Sequence, residues 1–378
     1  NPTILDAQAQ GRVVYIDSTA AVVVEGLHIR SGNVPGTSDD GGGLYIAGGD
    51  HVIRESKIYS NTVGNNGGGI YVAGGSPMIR DNDIYSNTAA GGDGYDGGGG
   101  IYVAGGSAVV QDNDIYSNTA SLREGGGINI YTGSATVRDN DIYSNTASVS
   151  GGGIYIYSGD QTVQDNSIHH NKASSSGGGI YVRSGSATVR GNDIHDNTAS
   201  GSGGGIRIET GSSVVESNTI YSNTAGSGGG GIYLRKQQDT TTATVRHNTI
   251  CSNTALVGGG IDAGEGLVII EDNQICGNSA TGTVSGYSGG GILAWSNAKT
   301  IRGNTIHDNT ATNGPGGGIC FNTAGGTVEN NLIHGNTAST SNGGGIYIGN
   351  ASPTIQNNTI YSNVAQSNGG GGIYRKKG

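Results

Sequence analysis

Residues 98–121 read GGGIYVAGGSAVVQDNDIYSNTAS, and close copies of this stretch recur from residue 41 to the end of the 378-residue chain. Marking each copy by the Ile of its IYSN-like segment gives Ile58, Ile84, Ile115, Ile142, Ile168, Ile194, Ile220, Ile250, Ile275, Ile306, Ile333 and Ile360. The spacing runs from 25 to 31 residues and is mostly 26 or 27. Three residues after every mark stands Asn, from Asn61 to Asn363, and a second Asn precedes every mark by two except at Ser56. Fixed-period self-similarity on this scale is the signature of a solenoid. Within a copy, Ile101/Val103, the Val109 region and Ile115 form three short apolar alternations. Gly-Ser, Asp-Asn and Asn-Thr-Ala separate them, which predicts three strands and three corners. Gly triplets and β-branched runs in every period exclude helical repeats.

Composition agrees. Gly occurs 75 times, Trp, Phe and Met once each, and 33% of residues are apolar, so the interior must be thin and built from Ile, Val and Ala. Five prolines exclude collagen, and the steady supply of Ile, Val and Tyr argues against disorder. The expected fold is all-β: a single right-handed parallel β-helix over residues 1–378, with opening coils at 1–40 and repeats of about 27 residues over 41–378. About thirteen coils stacked at about 4.8 Å would make a rod on the order of 60 Å long. Asn residues at one corner of successive coils can hydrogen-bond one another along the axis, since an amide both donates and accepts. The Gly triplets mark a corner needing positive φ or close backbone approach.

The paired GGGI and IxxN motifs, as in Gly67 to Ile70 with Ile84 to Asn87, resemble the GGA(I/L/V) and FxxN repeats of chlamydial polymorphic outer-membrane proteins and related pectin-lyase-like β-helix surface proteins. The opening segment is similar to the first coils of such proteins, with Gly32 where later coils carry Asn. Gly replaces Ala and Ile replaces Phe here, and no outer-membrane barrel sequence follows. The resemblance implies surface exposure or adhesion.

Four sets of outward residues carry the remaining information. Fourteen of the nineteen tyrosines fall on two stripes. One follows GGGI or its GGGL variant (Tyr45, Tyr71, Tyr102, Tyr155, Tyr181, with Tyr233, Tyr347 and Tyr374), and the other follows the marker Ile (Tyr59, Tyr85, Tyr116, Tyr143, with Tyr221 and Tyr361). Such stripes suit sugar rings or a protein contact face; they also suit simple cross-strand stacking. Arg, Gln and Glu fill a column four residues before the mark, alternating in sign from Arg190 to Glu329. Asp-Asn-Asp recurs at 81–83, 112–114 and 139–141, so Asp81, Asp83, Asp112, Asp114, Asp139 and Asp141 line one edge. Either Ca²⁺ relieves their repulsion or they are turn-forming residues exposed to water. A lone GGDGYD at 91–96 matches half of a Ca²⁺-binding nonapeptide. Cys251 and Cys276 share a column on consecutive coils, within disulfide reach; Cys320 lies on the other stripe.

The formal charge of −10 disfavours nucleic acid and anionic membranes as partners, and no apolar run reaches the length of a transmembrane segment. No cofactor is required by any motif, Ca²⁺ being the one candidate. Two functions fit: an extracellular or cell-surface structural or adhesive rod contacting glycans, matrix or other copies of itself, or a polysaccharide-active lyase, hydrolase or epimerase. Both chain ends read as strand, and unpaired strand edges favour end-to-end association. The insertions at 90–96, 235–241 and 281–288 are short and scattered, and His169, His170, His195, Asp196, His307, Asp308 and His334 all occupy ordinary repeat positions. The balance is against catalysis.

Overall fold

The computed structural model describes residues 2–92, 97–235, 242–367 and 369–376. The chain is all-β, a parallel β-solenoid of about thirteen turns, and it divides into two compact units, residues 1–193 and 194–378. In the first unit a representative coil consists of strands Ile101–Val103, Val109–Gln111, Asp114–Tyr116 and Thr119–Ala120. Each pairs in parallel with its counterpart in the next coil: Ile101 with Ile128, Val110 with Val137, Ile115 with Ile142, Ala120 with Ala147. The second unit repeats the scheme, as in Ile232–Leu234, Thr242–Arg246, Thr249–Cys251 and Thr254–Ala255.

There are therefore four sheets where the sequence predicts three strands per coil. The three expected strands are present. The fourth is the Thr-Ala pair, which reads as a turn because two residues are too few to show alternation, yet Thr119 and Ala120 pair with Thr146 and Ala147 as a ladder. Along all four strands the inward positions are fully buried: Ile101, Val103, Val110, Ile115 and Ala120. Each coil thus presents a small flat set of β-branched and Ala side chains to identical sets above and below. That explains how a chain with so few large apolar residues closes a core.

Two corners are held by asparagine, not one. At the first, Asn118 Nδ2 donates to Asn145 Oδ1 at 3.0 Å and to the Ile84 carbonyl at 2.8 Å, while its backbone N–H also donates to Asn145 Oδ1 at 3.0 Å. The same set recurs at Asn61, Asn87 and Asn145 in the first unit and at Asn223, Asn253, Asn278, Asn309 and Asn336 in the second. The column two residues before the mark builds a second ladder, as in Asn113 Nδ2 to Asn140 Oδ1 at 2.9 Å. Where the opening coil has Gly32, its N–H caps the first ladder on Asn61 Oδ1 at 2.9 Å. A Cβ at Gly32 would lie 2.0 Å from the Gly42 carbonyl oxygen, so Asn cannot stand there.

The Gly triplets serve both predicted purposes. Gly98 has φ +66°, and a Cβ on Gly99 would lie 2.6 Å from the carbonyl oxygen of Gly126 in the adjacent coil. The triplet itself forms a coil-to-coil ladder, with Gly99 N–H on the Gly125 carbonyl at 3.0 Å.

Asn145→Ala removes the acceptor of two Asn118 donors and the donor to the Ile115 carbonyl. At about 1–3 kcal/mol for each buried group left unpaired, stability should fall by about 3 kcal/mol or more, against less than about 1 kcal/mol for Thr146→Ala next door. Thermal and denaturant unfolding of the two variants measures the difference; equal effects would contradict the ladder.

Candidate functional site

Outward side chains alternate with buried ones, so each strand lays down vertical columns. Beside the marker Ile, the rings of Tyr59, Tyr85, Tyr116, Tyr143 and His169 stack continuously, with centroids 4.9–5.2 Å apart. These rings are half-buried, and burial is the first cause raising the phenol pKa of Tyr85, Tyr116 and Tyr143. The stripe after GGGI also stacks, Tyr45 on Tyr71 at 5.0 Å and Tyr155 on Tyr181 at 5.2 Å, but it is not the open face expected. Tyr102, Tyr155 and Tyr181 are only 4, 2 and 7% exposed. The reason is the segment before each triplet, whose first glycine lies against the ring-bearing strand: a Cβ on Gly151 would sit 2.7 Å from the Tyr155 Cβ. Asn129, in the same column, is likewise buried.

The aspartates form two columns flanking the Asn ladder. Asp81, Asp112 and Asp139 hold φ of 56°, 53° and 57°, the left-handed corner that Asp tolerates. Asp83, Asp114 and Asp141 stand in register on the strand. The outer two have partners, Lys57 on Asp83 at 2.7 Å and His169 on Asp141 at 2.9 Å. Asp114 lies between them, and partial burial followed by its two carboxylate neighbours raises its pKa. Among the described residues, no three His, Cys, Asp or Glu side chains gather around one point. The GGDGYD motif falls largely outside the described residues. In the Arg/Gln/Glu column an arginine that follows a glutamate bonds it, Arg54 to Glu25 at 2.8 Å, Arg246 to Glu216 at 2.6 Å and Arg302 to Glu271 at 2.5 Å; Arg138 and Arg190 bond Gln111 and Gln164 of the preceding coil instead, and Arg80 pairs with Asp81.

Cys251 and Cys276 are register partners joined in a disulfide with Cα atoms 4.5 Å apart. Cys320 is a free, buried thiol whose pKa burial pushes up to about 12. His169, His195, His307 and His334 belong to the stacking column: His195 stacks on Tyr221 at 4.8 Å and bonds Asp196 at 2.8 Å, and His307 stacks on His334 at 5.0 Å and bonds Asp308 at 2.8 Å; His170 sits beside the column at the left-handed corner, with φ 55°.

Among the described residues, the column pattern is rebuilt in the second unit. The stripe after GGGI there reads Arg207, Tyr233, Asp262, Leu293 and Cys320. The 281–288 insertion folds back through a Val284–Tyr287 bridge, and Tyr287 joins Val257, Leu293, Cys320 and Tyr347 in a small outer core. At its edge a cleft of about 320 Å³ is lined by Tyr233, Arg235, Gly264, Glu265, Trp295 and Asn322, among others. Beneath it Asp262 is 2% exposed. Its Oδ1 has no partner among the described residues. Loss of hydration pushes its pKa up to about 8, outweighing the lowering influence of Trp295, Lys299 and Arg207. Lys299, also fully buried, donates to the carbonyl of Gly266 at 2.7 Å and to that of Ser296. Two signals for this site were present in the sequence: an acid in a tyrosine column, and a lysine at an inward position whose register partners are Val268 and Gly326.

Because the folded-state pKa of Asp262 is raised, folding retains a proton that the unfolded chain has lost. Its contribution is fully favourable below about pH 4 and is eroded as pH climbs towards 8, by up to about 1.4 kcal/mol per pH unit. Asp262→Asn should remove this slope, so that its melting temperature exceeds the parent's by a margin that widens from pH 4 to pH 8. A constant margin would contradict a neutral buried carboxyl.

A family model described as a right handed beta helix region matches residues 12–148, 126–306 and 283–378. Comparison with curated proteins and with solved structures found no match.

Proposed function

From the premise that this chain belongs to the right-handed β-helix family, we propose that it is an extracellular or cell-surface structural and adhesive solenoid, whose surface columns contact glycans, matrix or further copies of itself. The observation that carries this reading is that the outward columns pair with themselves from coil to coil. Tyrosine rings stack at 4.9–5.0 Å, arginine and glutamate bond across the rung, and the histidines continue the same stacks. Such a surface is stiff and regular, and it offers repeating aromatic and carboxylate positions at one-coil intervals. That suits multivalent contact with an extended partner, where many weak contacts add. The Cys251–Cys276 disulfide supports an oxidising compartment, because such bonds are rare in the cytosol.

The polysaccharide-active reading rests on the fold family alone, and fold does not establish activity. The purified chain, displayed on a glycan array and incubated in parallel with acidic polysaccharides, separates the two. Retention on glycans or on matrix without new chain ends is expected. Release of unsaturated or reducing ends, lost in a His195→Ala, Asp196→Ala double variant, would overturn the proposal.

A further inference from the structure

The cleft beside Trp295 is a missing rung in a stacking column. The position three residues after the GGGI isoleucine forms a second outward column, held in register by the backbone: Arg235 N–H bonds the Ile208 carbonyl at 2.8 Å, Gly264 that of Leu234 at 2.8 Å, and Trp295 that of Ala263 at 3.1 Å. In the first unit the same column carries Ala47, Ala73 and Ala104 and then, on three successive coils, Tyr131, Tyr157 and Arg183. There the Tyr131 and Tyr157 rings stack at 4.6 Å and the Arg183 guanidinium lies 4.7 Å over the Tyr157 ring. An aromatic ring, a tyrosine ring and a guanidinium on three successive coils is thus an arrangement this scaffold already builds. In the second unit the outer members are both present as Trp295 and Arg235, but the middle position is Gly264, and the side chain it lacks leaves the cleft of about 320 Å³.

We infer that this gap is a binding site for one phenolic ring, which takes the place that Tyr157 fills in the first unit, between the indole of Trp295 and the guanidinium of Arg235. At about 4.8 Å per coil, a gap of one side chain matches the thickness of a single planar ring with a stacked neighbour on each side. Both neighbours favour an aromatic occupant: the indole through offset stacking and the guanidinium through attraction to the ring face. The wall is prepared in advance. Trp295 packs against the outer core of Val257, Tyr287, Leu293, Cys320 and Tyr347, in edge contact with Tyr287 at 6.4 Å, so little freedom is lost when a ring docks. Glu265 and Asn322 stand at the rim with no side-chain partner among the described residues, and a carboxylate there accepts a phenolic O–H. The ring can belong to a free phenol or to a tyrosine of an extended partner chain; the recognition chemistry is the same. This site is separate from the self-paired columns that carry the adhesive reading, and its test does not depend on that reading.

Trp295 is the chain's only tryptophan, so its emission reports on this cleft alone. The intact chain is titrated with p-cresol, with an extended peptide bearing one tyrosine, and with methyl glucoside, and each binding is repeated by calorimetry. Saturable change with p-cresol or the peptide is expected, at an affinity on the order of 1 mM for the small phenol. It should weaken about tenfold or more in Arg235→Ala, whose side chain is exposed, while the melting temperature is kept. Response to both probes points to the ring alone, and a tighter peptide points to a tyrosine on a partner chain; either supports the site. Absence of saturation with both phenols, an equal response to methyl glucoside, or undiminished binding in Arg235→Ala would overturn it. If Arg235→Ala lowers the melting temperature, Trp295→Phe read by calorimetry replaces it. There the retained ring should bind p-cresol within a few-fold of the parent, and complete loss would overturn stacking as the basis.

Discussion

A primary amide carries two donors on one end and an acceptor on the other, and this asymmetry governs the molecule. Each ladder Asn donates to the next coil's Oδ1 and to a carbonyl of the preceding coil, so Asn118 ties the coils of Ile84 and Asn145 to its own. All the amides of a ladder point the same way. A coil that slips loses several buried hydrogen bonds at once, a loss far larger than any single apolar contact made by Ile, Val or Ala. The interior can therefore be thin, because register is held at the corners and not by interlocking large side chains.

Where the chain tolerates variation follows from the same constraint. From the Arg/Gln/Glu column to the Asn after the mark, the length is constant in every repeat, because this stretch contains both ladder corners. Every insertion falls elsewhere: before the Gly triplet, as at 281–288, or after the GGGI strand, as at 235–241. Those are the corners without an Asn ladder. They are also where the regular surface gives way to something individual, the outer core around Leu293 and Cys320 and the cleft at Gly264. Function that depends on one place and not on a repeated column is expected at these corners.

Much of the fold was legible in the sequence because it is written twelve times over. The period, the parallel pairing, the inward Ile and Val columns and the Asn ladder all follow from residues recurring at fixed offsets, and the Cys251 and Cys276 register follows with them. The Thr-Ala strand was not legible, since two residues carry no alternation. The second Asn column was visible as a pattern, but its role emerges only when the corner geometry shows Asn82 and Asn113 turned inward to bond each other. The burial of Tyr102, Tyr155 and Tyr181 depends on how the segment before each triplet lies over the strand, which column arithmetic does not reveal. The same is true of Asp262. A column position shows which way a side chain faces, but not whether a neighbouring loop comes down over it.

Coil register is held at the two Asn corners, and paired deletions test this most directly. Removing residues 140–165 joins Asp139 to Asn166 and replaces one ladder Asn by the next, with every corner intact. Removing 140–164 leaves one extra residue at that corner. Circular dichroism and thermal melting of the two shortened chains should show the first folded, with a melting temperature close to the parent's, and the second strongly destabilised. Equal stability of the two would mean that the ladders do not set the register.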